Sequence, residues 1–95
     1  FDLGRDVATM ARISKESGIH IIPTTGLWLD PCRSLFSLEP DQMASIFIRE
    51  ATQGIQGTGI RAGIIKCAHE TGVTWERGKG FTRMGEMVCR AVARA

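Results

Sequence analysis

Residues 59–66 of this chain read Gly59-Ile60-Arg61-Ala62-Gly63-Ile64-Ile65-Lys66. A short apolar run bounded by glycines predicts a buried strand of a parallel sheet. The last residue of the run would then lie at the carboxyl end of the strand, the edge of the sheet at which α/β folds place catalytic and binding groups. Lys66 is therefore a candidate functional residue.

Three amphipathic helices are predicted around this run. Apolar residues at helical spacing predict a first helix near residues 4–17. A second helix is expected to follow Ser37 as its N-cap and to end near Gly54, and a third is expected to follow the N-cap Thr82.

Two strands alternate with these helices. The β-branched run at residues 19–24 predicts the first strand and residues 60–67 the second, whereas the polar, glycine-rich residues 68–81 are assigned to neither helix nor strand. The resulting order, α-β-α-β-α, favours an α/β fold with a parallel sheet and right-handed crossovers. Because two parallel strands alone are marginal in water, residues 1–95 are expected to be a partial domain, incomplete at both ends.

The composition limits the classes of function. The 95 residues carry a net charge of +2 with acidic and basic residues interspersed, so no nucleic-acid partner is expected. Three cysteines without C-x-x-C spacing support neither a disulfide framework nor a zinc ribbon, and they fit a reducing, cytoplasmic setting. No apolar run is long enough for a membrane span, so no membrane association is expected.

Three other features could carry chemistry but favour structural roles. The glycines at positions 54–63 lie between a helix and a strand, whereas phosphate-binding loops follow a strand and precede a helix, so the pattern favours a tight turn. His20 opens the first strand, at the edge opposite the expected site. His69 lies nearer to that site, but it has no second ligand at the spacing that a metal requires.

The pattern leaves two interpretations of Lys66 and of Trp28. The alkyl stem of Lys66 could cover the apolar layer while its ammonium reaches water, and the pattern alone favours this structural role. Trp28, on the loop after the first strand, either caps the core or lines a pocket on the same face as Lys66.

Several blocks of the chain carry a family resemblance. They are Thr25-Gly26-Leu27-Trp28-Leu29-Asp30-Pro31, Phe47-Ile48-Arg49-Glu50, Gly54-Ile55, Gly57-Thr58-Gly59-Ile60-Arg61-Ala62-Gly63-Ile64-Ile65-Lys66 and Arg90-Ala91-Val92-Ala93-Arg94-Ala95. Together they resemble the phosphotriesterase family of the amidohydrolase superfamily. The resemblance covers nearly the whole chain.

The resemblance implies a TIM (β/α)8 barrel of which this chain holds about the third and fourth strands. It also implies that Lys66 is carboxylated by carbon dioxide and bridges two divalent metal ions, with zinc as the expected metal. Only a neutral amine captures carbon dioxide, and burial near cations favours that form of lysine. The carbamate would offer one oxygen to each metal, and a metal-bridging hydroxide would attack the substrate.

The resemblance further implies that Trp28 and Leu29 bind the substrate, a small phosphotriester or lactone-like ester. Leu29 falls where some members carry Phe or Tyr, which leaves the substrate size open. The complete protein is expected to be a cytoplasmic hydrolase that could form a homodimer.

The family's remaining metal ligands, a His-x-His pair, two later histidines and an aspartate, lie outside this segment. The 95 residues alone are therefore expected to be inactive. The stretch Trp75–Phe81 resembles an insertion. The alternative to an enzyme segment is a non-catalytic short product, or an interaction module that uses its exposed apolar sheet edges.

Overall fold

The computed structural model describes residues 5–28 and 33–95, which contain both helices and short strands. This mixed content fits the predicted α/β class. In chain order the elements are α1 (Val7–Ser17), β1 (Thr24–Thr25), a 3-10 helix (Arg33–Ser37), α2 (Pro40–Thr52), β2 (Ile64–Ile65), β3 (Trp75–Glu76), β4 (Gly80–Phe81) and α3 (Arg83–Arg94).

β1 and β2 pair in parallel, as the sequence pattern predicted. Thr24 lies opposite Ile64 and Thr25 lies opposite Ile65. Backbone hydrogen bonds continue the pairing beyond the strands themselves, since the amide of Ala68 donates to the carbonyl of Leu27 at 2.9 Å. The chain segments that directly follow β1 and β2 therefore also lie side by side.

Both strands are shorter than predicted. The prediction of a strand at residues 19–24 is wrong for most of its length, because Ile19 and Ile22 precede β1 and are 62% and 69% exposed. The strand predicted at residues 60–67 is observed over only two residues, Ile64 and Ile65. Each strand residue needs a paired neighbour, and in the parallel sheet of the described residues only Thr24–Thr25 and Ile64–Ile65 pair as strands.

The helix ends follow local capping chemistry. α1 begins after Asp6, whose carboxylate accepts a hydrogen bond from the amide of Thr9 at 2.9 Å, and it ends at Gly18 in the left-handed conformation. α3 begins after Thr82 as predicted, and the Thr82 hydroxyl accepts from the amide of Gly85 at 3.2 Å. None of the helices in the described part of the chain is long and apolar enough to cross a membrane.

The predicted N-cap of α2 is wrong by two residues. Ser37 ends the 3-10 helix, and Glu39 is the N-cap, with its amide donating to the side-chain oxygen of Gln42 at 2.8 Å. Pro40 occupies the first helical position, where its missing N–H leaves nothing to satisfy. Proline at this position therefore sets the start of the helix more strongly than the serine before it.

The main hydrophobic core lies between the parallel sheet and the pair α2 and α3. Ile65 and Cys67 pack against it from the sheet side. Because side chains alternate along a strand, Ile64 and Lys66 lie on the opposite face, where Ile64 is 56% exposed. The buried members of the core are Leu27, Leu35, Met43, Ala44, Phe47, Met84, Met87, Val88 and Ala91.

The segment after β2 contains an antiparallel hairpin, β3 with β4, that the sequence pattern did not predict. The ring of Trp75 meets the ring of Phe81 edge to face, with centroids 5.1 Å apart. Thr74 is buried where the hairpin meets α3. A Cβ at Gly85 would overlap the carbonyl oxygen of Thr74, so glycine is required for this close contact between helix and hairpin.

Candidate functional site at the carboxyl edge of the parallel sheet

Lys66 follows β2 directly and lies at the carboxyl edge of the sheet, as the sequence predicted. Its amide donates to the carbonyl of Thr25 at 2.8 Å, which connects it to the end of β1. Its side chain is exposed, on the face of the sheet that α2 and α3 leave uncovered. The backbone of Lys66 is thus fixed by strand pairing, while its side chain remains exposed.

Trp28 lies beside Lys66. The Nζ atom of Lys66 is 4.1 Å from the centroid of the Trp28 ring, within the range of a cation–π interaction. Trp28 is 48% exposed, so about half of this residue remains accessible beside Lys66. The structure therefore brings together two of the predicted site residues. The third, Leu29, lies outside the described residues.

Gly26 allows the two strand ends to approach each other. Its φ of +119° is a backbone conformation that residues with a side chain rarely adopt. A Cβ at this position would overlap the carbonyl oxygen of Lys66. Glycine is therefore required at position 26 for the backbone of Lys66 to lie next to the segment that carries Trp28.

A buried ion pair that the sequence pattern did not predict lies beneath this edge. Arg5 donates to both carboxylate oxygens of Glu50, at 2.8 and 3.0 Å, and also to the carbonyl of Thr24 at 2.8 Å. The hydroxyl of Thr25 donates to the same carboxylate at 2.5 Å. The side chains of Arg5 and Glu50 are only 8% and 10% exposed.

The sequence contained a signal for this pair. Glu50 follows Met43 and Phe47 at helical spacing, which places a carboxylate on the buried stripe of α2. A buried carboxylate requires a partner that donates hydrogen bonds or carries positive charge. The partner, Arg5, lies 45 residues away in the chain, and sequence spacing alone does not identify it.

The pKa of Glu50 reflects two opposing effects. Burial alone would raise it, but the hydrogen bonds from Arg5 and Thr25, together with the charge of Arg5, outweigh burial and lower the pKa below its ordinary value of 4.5. The carboxylate therefore stays ionised in the folded protein under acidic conditions in which it would be protonated in the unfolded chain.

Glu50 should make the protein acid-sensitive. Because the folded pKa is lowered, the stabilisation is fully present above pH 4.5 and is lost as the pH falls through the folded pKa. Glu50→Gln should cost about 2 kcal/mol at neutral pH, and this cost should shrink below pH 4.5. Urea unfolding of the complete protein at several pH values measures this, and a cost that does not change with pH would contradict it.

The histidines do not form a metal centre with other described side chains. His20 is exposed, ahead of β1. His69 contacts the ring of Phe81, with centroids 4.8 Å apart, and its Nε2 lies 3.7 Å from the Sγ of Cys89. Burial raises the pKa of the nearby Cys67 thiol, which lies against the main core. The contacts with Phe81 and Cys89 give His69 a packing role between the hairpin and α3.

The described residues fit one ligand position and not a whole metal site. Within residues 5–28 and 33–95, no three side chains of His, Cys, Asp or Glu converge in a way that could hold a metal ion. Lys66 lies at the carboxyl edge of the sheet and its side chain is exposed, so the described residues do not supply the burial near cations that favours a neutral amine. A complete set of donors would require residues beyond those described.

A parallel sheet with helices on one face and a lysine at its carboxyl edge places this chain among α/β proteins. The sequence model of the phosphotriesterase family matches residues 1–95, so the chain belongs to the phosphotriesterase family, as the sequence blocks predicted.

Three relatives illustrate the range of the family. The chain is 34% identical over 93 residues to an aryldialkylphosphatase of Saccharolobus solfataricus. This match covers 96% of this chain and 27% of the relative. It is 35% identical over 104 residues to a phosphotriesterase homology protein of Mycobacterium tuberculosis, covering 98% and 29% of the two chains. It is 30% identical over 95 residues to the human N-acetyltaurine hydrolase, covering 98% and 25%.

The chain spans between a quarter and a third of the length of these relatives. Two of the relatives are named as hydrolases that act on different bonds, one on aryl dialkyl phosphates and the other on N-acetyltaurine, an amide. Hydrolase activity is therefore represented among the relatives of this chain.

Proposed function

We propose that this chain is the part of a metal-dependent hydrolase that carries the lysine ligand of its metal centre. The observation that supports the proposal best is the position of Lys66, at the carboxyl end of β2 on the face that the helices leave open. In this proposal β1 and β2 are the third and fourth strands of a TIM barrel, and the open face is turned toward the barrel interior.

Lys66 would act after carboxylation. Its neutral amine forms a bond from nitrogen to the carbon of carbon dioxide and releases one proton, which leaves a carbamate with two oxygens. Those oxygens would bridge two divalent cations, with zinc as the expected metal, completed by ligands outside the described residues. Bound metals of this kind polarise the substrate and activate water.

Trp28 would change its contact when Lys66 is carboxylated. The cation–π interaction at 4.1 Å depends on the positive charge of the ammonium, and the carbamate is an anion. Carboxylation would therefore free the ring of Trp28 to contact an apolar part of the substrate. Trp28 would line the substrate pocket and exclude water from one side of it.

The relatives suggest two substrate classes for this hydrolase, phosphate esters and amides. Phosphotriesters and lactone-like esters were expected from the sequence, and the similarity to N-acetyltaurine hydrolases adds amides. The complete reading frame should be expressed with Zn²⁺ or Mn²⁺ and assayed with paraoxon, a lactone and N-acetyltaurine.

The expected result is hydrolysis of at least one of the three compounds, lost on treatment with a chelator and restored by adding metal. A folded, metal-loaded protein that hydrolyses none of them would contradict the proposed function. The 95-residue chain alone should be inactive under the same conditions, because it lacks a complete donor set among its described residues.

A further inference from the structure

We infer that Glu50 is a positioning residue for Lys66, acting through β1 and through the segment that leads into β2. The inference rests on the proposed function, since it concerns the placement of the lysine that would bridge the metals. Glu50 touches neither Lys66 nor the open face, and its side chain is buried in α2 on the other side of the sheet.

The side chain of Glu50 is connected to β1. Its carboxylate accepts from the hydroxyl of Thr25, while Arg5 bonds the carboxylate at both oxygens and the carbonyl of Thr24 with the same guanidinium. Two consecutive residues of β1 are therefore held by one ion pair. The bidentate geometry restricts rotation of the carboxylate as well as its distance.

The main chain of Glu50 is connected to the segment that enters β2. Its carbonyl accepts from the amide of Ala62 at 2.9 Å. The carbonyl of Thr25 in turn accepts from the amide of Lys66 at 2.8 Å. Glu50 thus contacts one strand with its side chain and the approach to the other with its backbone, and Lys66 is one hydrogen bond beyond Thr25.

A charged pair at this place provides what an apolar pair would not. Apolar side chains of similar volume could stabilise the buried space as well as an ion pair does, but they have no directional contact with the end of β1. A carboxylated lysine that would hold two metals through its carbamate needs a fixed backbone, because a misplacement of about 1 Å can cost roughly a hundredfold in rate.

Two variants of the complete protein test the inference. Glu50→Gln removes the charge at constant size, and Thr25→Val removes the hydroxyl donor while leaving the ion pair of Arg5 and Glu50 in place. The matched control is Asp41→Asn on the same helix, whose exposed ion pair with Arg94 at 2.9 Å contacts neither strand. Each protein should be measured for bound metal, for incorporation of ¹³C-bicarbonate at Lys66, and for kcat and KM.

Glu50→Gln should lower the labelling of Lys66, the metal content and kcat, with kcat falling at least tenfold and KM changing less than about twofold. Excess bicarbonate should restore part of the labelling in Glu50→Gln that circular dichroism shows to be folded in the absence of metal. Thr25→Val should show a smaller loss of the same kind, and Asp41→Asn should match the wild type.

Wild-type labelling and kcat in Thr25→Val and in folded Glu50→Gln would overturn the inference and leave the proposed function intact. If Glu50→Gln fails to fold, Thr25→Val decides alone. A wild-type protein that binds metal without any label at Lys66 would contradict the proposed function itself, and the inference with it.

Discussion

Lys66→Ala is expected to lower kcat/KM of the complete protein by roughly a thousandfold or more, because in the proposed function it removes a bridging ligand and with it metal-ion catalysis worth several kcal/mol. The bound metal should fall with the activity. Stability in the absence of metal should change little, because the Lys66 side chain is exposed and makes its one described ring contact with Trp28.

Lys66→Met is the variant that separates the two interpretations of this residue. Methionine keeps an unbranched apolar stem but has no amine. If the stem of Lys66 only covers apolar surface, Lys66→Met should retain activity and metal content. If the amine becomes a ligand, Lys66→Met should be as inactive as Lys66→Ala. Lys15→Ala, at an exposed position of α1, serves as the control for the loss of a positive charge.

Gly26→Ala is expected to destabilise the complete protein by about 4 kcal/mol, the sum of backbone strain and overpacking. The φ of +119° is strained for alanine, and the added Cβ would overlap the carbonyl oxygen of Lys66, a backbone atom that cannot move without shifting β2. The free energy of unfolding in urea measures the effect, and the metal content of the folded fraction should fall as well.

Gly18→Ala is the matched control for that substitution. Gly18 also has a positive φ, of +74°, but no atom lies within 4 Å of the position that its Cβ would take. The cost there should be that of a left-handed residue alone, about 1 kcal/mol. Equal costs at the two positions would show that the close approach of Gly26 to Lys66 does not contribute.

Local patterns in the sequence predicted the helices and the parallel pairing well. The stripe of apolar residues in α3 and its N-cap Thr82 depend on neighbours three and four residues apart, which the sequence displays directly. The placement of Lys66 at a carboxyl edge also followed from one short run of residues. Ser37 failed as an N-cap because Pro40 fixed a later start.

Features that depend on distant partners could not be predicted in the same way. The length of a strand depends on the segment that pairs with it, so the apolar run at Ile19 and Ile22 did not guarantee a ladder. The hairpin that pairs Trp75 with Phe81 lacks the alternating pattern of an isolated hairpin, and it is stabilised by contact with α3. The partner of Glu50, Arg5, could not be predicted either, because it lies 45 residues away in the chain.

Carbon NMR of the complete protein is the sharpest test of the proposal that Lys66 carries a carbamate bridging two metals. The protein should be loaded with metal in the presence of ¹³C-bicarbonate, and its bound metal should be counted. We expect two metal ions per chain and a carbamate carbon signal that is present in the wild type and absent from Lys66→Met. A wild-type protein that holds two metal ions and hydrolyses substrate without that signal would contradict the proposal.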